Sequence, residues 1–140
     1  MKILIVGVGS IGERHARCFS NIQGVDVGIC DLDIELGKEV GEKYGIKEIG
    51  IRVDEMEITS FDAGVICTPA NSHIPISRIL ASNDLHLLIE KPLSTSIEKF
   101  KKSFLCGYCL IKLRSLMSAS PFLFKIETIN DLNHVFPLFG

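Results

Sequence analysis

The sequence predicts an α/β chain wound on both faces of a parallel sheet. Three observations lead there: short apolar runs rich in β-branched residues recur along the first hundred positions, helix-length segments separate them, and the turn Gly7-Val8-Gly9-Ser10-Ile11-Gly12 joins the first run to the first helix. Strands that alternate with helices of this length call for right-handed crossovers and hence parallel pairing.

The elements follow in order. Lys2 to Val6 is apolar after its lysine and ends in glycines, as a strand covered on both faces does. The lysine followed by an apolar run faintly imitates a secretion signal, but Glu13, Arg14 and His15 come next without a small-residue cleavage site. Ser10 to Ile22 forms the first helix, with Ile11, His15, Cys18, Phe19 and Ile22 at helical spacing for its inner face. Val25 to Cys30 is the second strand, Asp33 to Tyr44 a polar helix stopped by Gly45, and Ile46 to Ile49 a short third strand. The acidic stretch from Gly50 to Ser60 admits one helical turn near Asp54 to Glu57. Asp62 to Cys67 is the fourth strand, Ser72 to Ser82 a helix facing inward through Ile76, Ile79 and Leu80, and Leu85 to Ile89 the fifth strand. His15 and His86 are expected to pack rather than react.

Composition limits the partners. Of 140 residues, 46% are hydrophobic and 23% charged, enough to bury a core and too few charges for disorder. A net charge of -2 and a pI near 6.1 leave no basic face for nucleic acid or a membrane surface. No run approaches the roughly 18 apolar residues of a membrane span. Cys18, Cys30, Cys67, Cys106 and Cys109 are odd in number and mostly sit in apolar segments, which suits reduced thiols in a cytoplasmic protein. Cys106 and Cys109 form a C-x-x-C, but no second pair completes a zinc site and no helix-opening context marks a redox site, so they read as incidental and no metal is expected.

The chemistry concentrates in the loops after the strands. In G-x-G-x-x-G, Gly7 allows the tight turn, Gly9 lets a pyrophosphate approach the backbone, and Gly12 lets helix and strand pack closely, while Ser10 and Ile11 begin the helix whose free N–H groups favour an anion. Asp31 ends the second strand 19 positions past Gly12, where a carboxylate accepts hydrogen bonds from an adenosine ribose. A carboxylate there repels a 2′-phosphate, and Leu32 follows where an arginine would suit one, so NAD is preferred over NADP. Asp31 could alternatively just open a turn with Asp33. His73 could neighbour the nicotinamide or cap a helix, and Lys91 could be a proton-exchanging amine or an exposed turn lysine.

Thr68-Pro69-Ala70-Asn71-Ser72-His73 and Glu90-Lys91-Pro92, in this order after the glycine turn, resemble the T-P-x-x-x-H and E-K-P signatures of the Gfo/Idh/MocA oxidoreductases, from about Met1 to Lys99. The resemblance implies a Rossmann sheet of order 3-2-1-4-5, with Leu105 to Leu110 open to reading as a sixth strand. It implies that Glu90 helps hold the cofactor ribose, that Lys91 is catalytic beside substrate and nicotinamide, and that Thr68, Pro69, Asn71 and His73 line the cofactor. The activity implied is hydride transfer between the nicotinamide and a sugar, polyol or related hydroxy compound.

The organisation expected is a dinucleotide-binding domain over 1–102 and an atypical hydrophobic tail over 103–140, with the family's substrate domain missing; a truncated gene product is preferred over a stand-alone cofactor domain or a fragment. That tail carries Lys112, Arg114, Lys125, Glu127 and Asp131 as its charges and five of the eight phenylalanines, which favours self-association. Asp131 and His134 lack the spacing and glycines of the family's second-domain motif. Two other functions share the glycine start: a stand-alone NAD-sensing regulatory module similar to RCK/KTN domains, in which Glu90-Lys91-Pro92 is not expected, and a methyltransferase, which the Thr68-Pro69 turn fits poorly.

Overall fold

A computed structural model describes residues 1–93 and 95. The elements are β1 (Lys2–Val6), α1 (Ser10–Ser20), β2 (Asp26–Cys30), α2 (Ile34–Tyr44), β3 (Glu48–Gly50), two single 3-10 turns (Val53–Glu55 and Ile58–Ser60), β4 (Ala63–Ile66), α3 (Ala70–Ser82) and β5 (His86–Ile89). All strand pairs are parallel, in the order β3-β2-β1-β4-β5. The predicted doubly wound sheet is therefore the observed one. The suggested sixth strand, the boundary at 102, the tail, and Cys106 and Cys109 lie outside the described residues.

Side chains of β1 alternate between two cores. Ile3 and Ile5 join Ile29, Val65, Ala16 of α1 and Val40 of α2 on one face. Leu4 and Val6 join Ile66, Leu87, Phe61 and Leu80 of α3 on the other. A strand buried on both faces has no polar alternation to show, which is why β1 reads as an unbroken apolar run.

Helix ends follow local chemistry. Asp33 caps α2 through a side-chain bond from the Leu36 N–H (3.1 Å), and Gly45 closes it at φ 72°, the left-handed region open to glycine. The interior of α1 corrects the sequence expectation. Ile11 and Ile22 are 47% and 50% exposed and Cys18 is exposed, whereas Gly12 and Ala16 are buried and Phe19 packs against the core. A Cβ at Gly12 would lie 1.8 Å from the Gly7 carbonyl oxygen, so α1 approaches β1 too closely for large side chains on its inner face. Small residues at positions 12 and 16, one turn apart, form that face.

Three smaller differences are of the same kind. β3 starts two residues later than expected, because Ile46 is buried in the turn that closes α2 and not in the sheet. α3 turns buried His73, Ser77 and Leu80 inward, with Ile76 packed at the margin and Ile79 at 36% exposure on the outside. His86, expected to pack, is exposed at the first position of β5.

Candidate functional site

Each strand ladder extends one residue past its strand. Gly7 N–H donates to Cys30 O (2.8 Å), Asp31 N–H to Gly50 O (3.1 Å), Cys67 N–H to Val6 O (2.8 Å) and Glu90 N–H to Ile66 O (2.9 Å). These bonds bring the starts of four loops to one level at the carboxyl edge of the sheet. Between β1 and β4, where the strand order reverses, the loops diverge and leave the crevice in which open α/β sheets bind ligands.

The crevice here is a cleft of about 580 Å³. Gly7, Gly9, Asp31, Thr68 and Pro69, all predicted site residues, line it. Its outer walls come from residues the sequence reading did not select: Ile51, Arg52 and Asp54 after β3, and Ile76 and Ile79 on α3. Leu32, 78% exposed, stands at the same rim. Apolar walls with a few fixed polar groups suit a flat heteroaromatic ligand.

The three motif glycines have different reasons to be glycine. Gly7 sits at φ 85° and a Cβ there would lie 2.9 Å from the Thr68 backbone nitrogen, so the turn itself demands it. Gly12 answers to the helix-to-strand contact described above. Gly9, the N-cap of α1, has φ -60°, which any residue adopts, and a Cβ there would meet no protein atom within 4 Å. Nothing in the fold requires glycine at position 9. Gly9 lines the cleft, beside the first turn of α1, whose N–H groups have no partner inside the helix.

Asp31 is half-buried and held at both oxygens: Oδ2 accepts from Val8 N–H (2.6 Å) and Oδ1 from Asp33 N–H (2.9 Å). The turn with Asp33 is therefore real, and the same carboxylate also clips the glycine loop. Two backbone bonds do not exhaust the acceptor capacity of a carboxyl group, and Asp31 lines the cleft.

The loops after β4 and β5 are braced to each other. His73 is 1% exposed, with Nδ1 3.0 Å from Pro92 O and Nε2 hydrogen-bonded to Thr68 O, so its ring is a buried tie between the two loops and not a helix cap. Ser72 Oγ lies 2.8 Å from Thr68 Oγ1 and 2.7 Å from Pro69 O, which fixes the turn entering α3. Asn71 is exposed on the first turn of α3, outside the residues lining the cleft. Ser10 and Ile11 are exposed at the start of α1.

Glu90 turns away from the cleft lining, towards α1. Its Oε1 lies 2.8 Å from His15 Nε2, and the His15 ring stacks on Phe19 with centroids 6.0 Å apart. The hydrogen bond from His15 holds the Glu90 carboxyl below its ordinary value, against a smaller opposing effect of burial. Lys91 follows, exposed, at a cis peptide bond to Pro92. Cys30 and Cys67 line the cleft, yet burial pushes each thiol up to about 12, so neither offers a thiolate at neutral pH. Among the described residues, no group of three or more His, Cys, Asp or Glu could hold a metal ion, and no helix is long and apolar enough to cross a membrane.

Comparison with known proteins agrees with this geometry. Residues 1–105 match the family model described as "Oxidoreductase family, NAD-binding Rossmann fold", GFO_IDH_MocA. A 4-carboxy-2-hydroxymuconate-6-semialdehyde dehydrogenase of Sphingobium is 34% identical over 98 residues, covering 69% of this chain and 31% of the relative. Myo-inositol 2-dehydrogenase of Thermotoga maritima is 29% identical over 102 residues, covering 69% and 30%. Among solved structures, myo-inositol 2-dehydrogenase of Lactobacillus plantarum superposes with a TM-score of 0.68 at 28% identity, over 75% of this chain and 32% of that one. The chain thus spans about a third of the length of these relatives.

Proposed function

The chain belongs to the Gfo/Idh/MocA oxidoreductase family, and from that premise we propose that it is the dinucleotide-binding part of an enzyme exchanging hydride between NAD(H) and a carbinol carbon of a sugar, polyol or related hydroxy compound. The observation that carries this reading is Gly9, whose lack of a side chain no protein contact explains and whose backbone lines the cleft. The inositol dehydrogenases among the relatives support a polyol as the substrate class. The same matches favour an oxidoreductase over the regulatory-module alternative.

When bound, NAD supplies the hydride acceptor. The chain's residues would do the rest. Gly9 and the N–H groups of Ser10 and Ile11 would receive the pyrophosphate. Asp31, already oriented by Val8 and Asp33, would accept from the adenosine ribose hydroxyls and disfavour a 2′-phosphate, which sets NAD above NADP. Thr68 and Pro69 would line the cofactor, with His73 holding their loop in place. Glu90, engaged by His15, would act on the ribose side by fixing the loop that carries Lys91. Lys91 Nζ would stand at the substrate hydroxyl and exchange its proton as the carbon–hydrogen bond gives up its hydride, leaving a carbonyl.

Isothermal titration of the full chain with NAD⁺ tests the cofactor half of this reading. Saturable binding that weakens at least about tenfold in Asp31→Ala is expected. Absence of dinucleotide binding by the folded wild-type chain would overturn it.

A further inference from the structure

The loop after β3 carries charges that the family reading leaves unused. Because Cys30 pairs with Gly50 and Asp31 N–H bonds Gly50 O, the chain beyond β3 runs beside the chain beyond β2. Leu32 and Arg52, each two residues past that pairing, line the cleft together with Asp31. Arg52 is the one cationic residue lining the cleft among the described residues. It is not free: Nε lies 3.1 Å from Asp54 Oδ1 and Nη2 3.1 Å from Asp54 Oδ2, a two-pronged pair, with Glu55 Oε1 3.5 Å from Nε.

We propose that Asp54 is a specificity-determining residue of the cleft: by occupying the Arg52 guanidinium on both prongs, it withholds that cation from a phosphate on the bound ribose and so enforces preference for the dinucleotide without one. This rests on the reading of the cleft as a dinucleotide site. The fork that Asp54 fills is the one a phosphate would use, since guanidinium binds carboxylate and phosphate in the same bidentate geometry. The pair is half exposed (55% for both side chains), so it is weak in itself. Its effect comes from competition and sign. A 2′-phosphate carrying about two negative charges would meet Asp31, Asp54 and Glu55 around a single arginine. Arg52 holds its proton more tightly, and Asp54 loses its proton more readily, because each bonds the other.

The test is the ratio of NADP⁺ to NAD⁺ affinity, by isothermal titration of the full chain. The variants are Asp54→Asn and Asp54→Asn combined with Arg52→Gln, their folding checked by circular dichroism. Asp54→Asn should shift the ratio about fivefold or more towards NADP⁺, and the shift should vanish in the double variant. An unchanged ratio in Asp54→Asn overturns the proposal while the cleft reading stands. A shift that persists in the double variant also overturns it, since the gain would then come from lost negative charge and not from a released arginine. Failure of the wild-type chain to bind either dinucleotide removes the cleft reading and this proposal together.

Discussion

His15 Nε2 on α1 lies 2.8 Å from Glu90 Oε1 at the end of β5, joining two residues 75 positions apart in the chain. The bond ties the first helix to the loop bearing Lys91, across the end of β4. Both side chains are partly exposed, at 22% and 34%, so the pair is a modest stabiliser. His15→Ala should lower stability by about 1 kcal/mol or less in urea unfolding near neutral pH.

The pH dependence of that difference has a definite sign. The folded-state value of Glu90 is depressed from 4.5, so its contribution is present above that value and fades as pH falls through the lower folded value. Stability curves of the wild type and Glu90→Gln should therefore converge on acidification below about pH 4 and stay separated at about pH 6. Parallel curves over the whole range would show that the His15 bond does not depress Glu90.

Two alanine substitutions within one motif should part company. Gly12→Ala places a Cβ 1.8 Å from Gly7 O and should destabilise the fold by about 3 kcal/mol or more, because the backbones of α1 and β1 must separate. Gly9→Ala meets no protein atom and should leave the thermal midpoint unchanged, within about 0.5 kcal/mol, while NAD⁺ affinity falls at least about tenfold. If Gly9→Ala binds NAD⁺ as the wild type does, the pyrophosphate does not sit on that backbone.

Asp31 has both a structural and a ligand-facing role to lose. Asp31→Ala leaves Val8 N–H and Asp33 N–H without their acceptor and should cost about 1–2 kcal/mol in addition to weakening NAD⁺ binding. NADP⁺ binding should suffer less, narrowing the preference between the two cofactors.

Thiol reactivity should follow burial. Cys18 is exposed and should be alkylated by iodoacetamide at about pH 8 in the native protein. Cys30 and Cys67, held near 12 by burial, should remain unmodified until the chain is unfolded. Peptide mapping by mass spectrometry distinguishes the three sites.

Much of this was legible before any coordinates. Apolar β-branched runs, the glycine turn and an acid after the second run report local properties, namely burial on both faces, a tight turn and a strand end, and these need no knowledge of the rest of the chain. They determined the five strands and placed Gly7, Gly9 and Asp31 where strands end, while the order 3-2-1-4-5 and the role of Thr68 and Pro69 came from the resemblance of the T-P-x-x-x-H and E-K-P segments to a known family. Tertiary structure alone decided what lies against what. It turned Ile11 and Ile22 outward and buried Ala16 beside Gly12, whose close approach to the strand the glycine motif had already implied. It sent Glu90 to His15, placed His73 as a buried tie, and brought Arg52 and Asp54 to the cleft of Asp31. Periodicity along a chain encodes which side of an element is apolar. The separation between two elements, and the partner a polar side chain finds across it, exist only once the crossovers have closed.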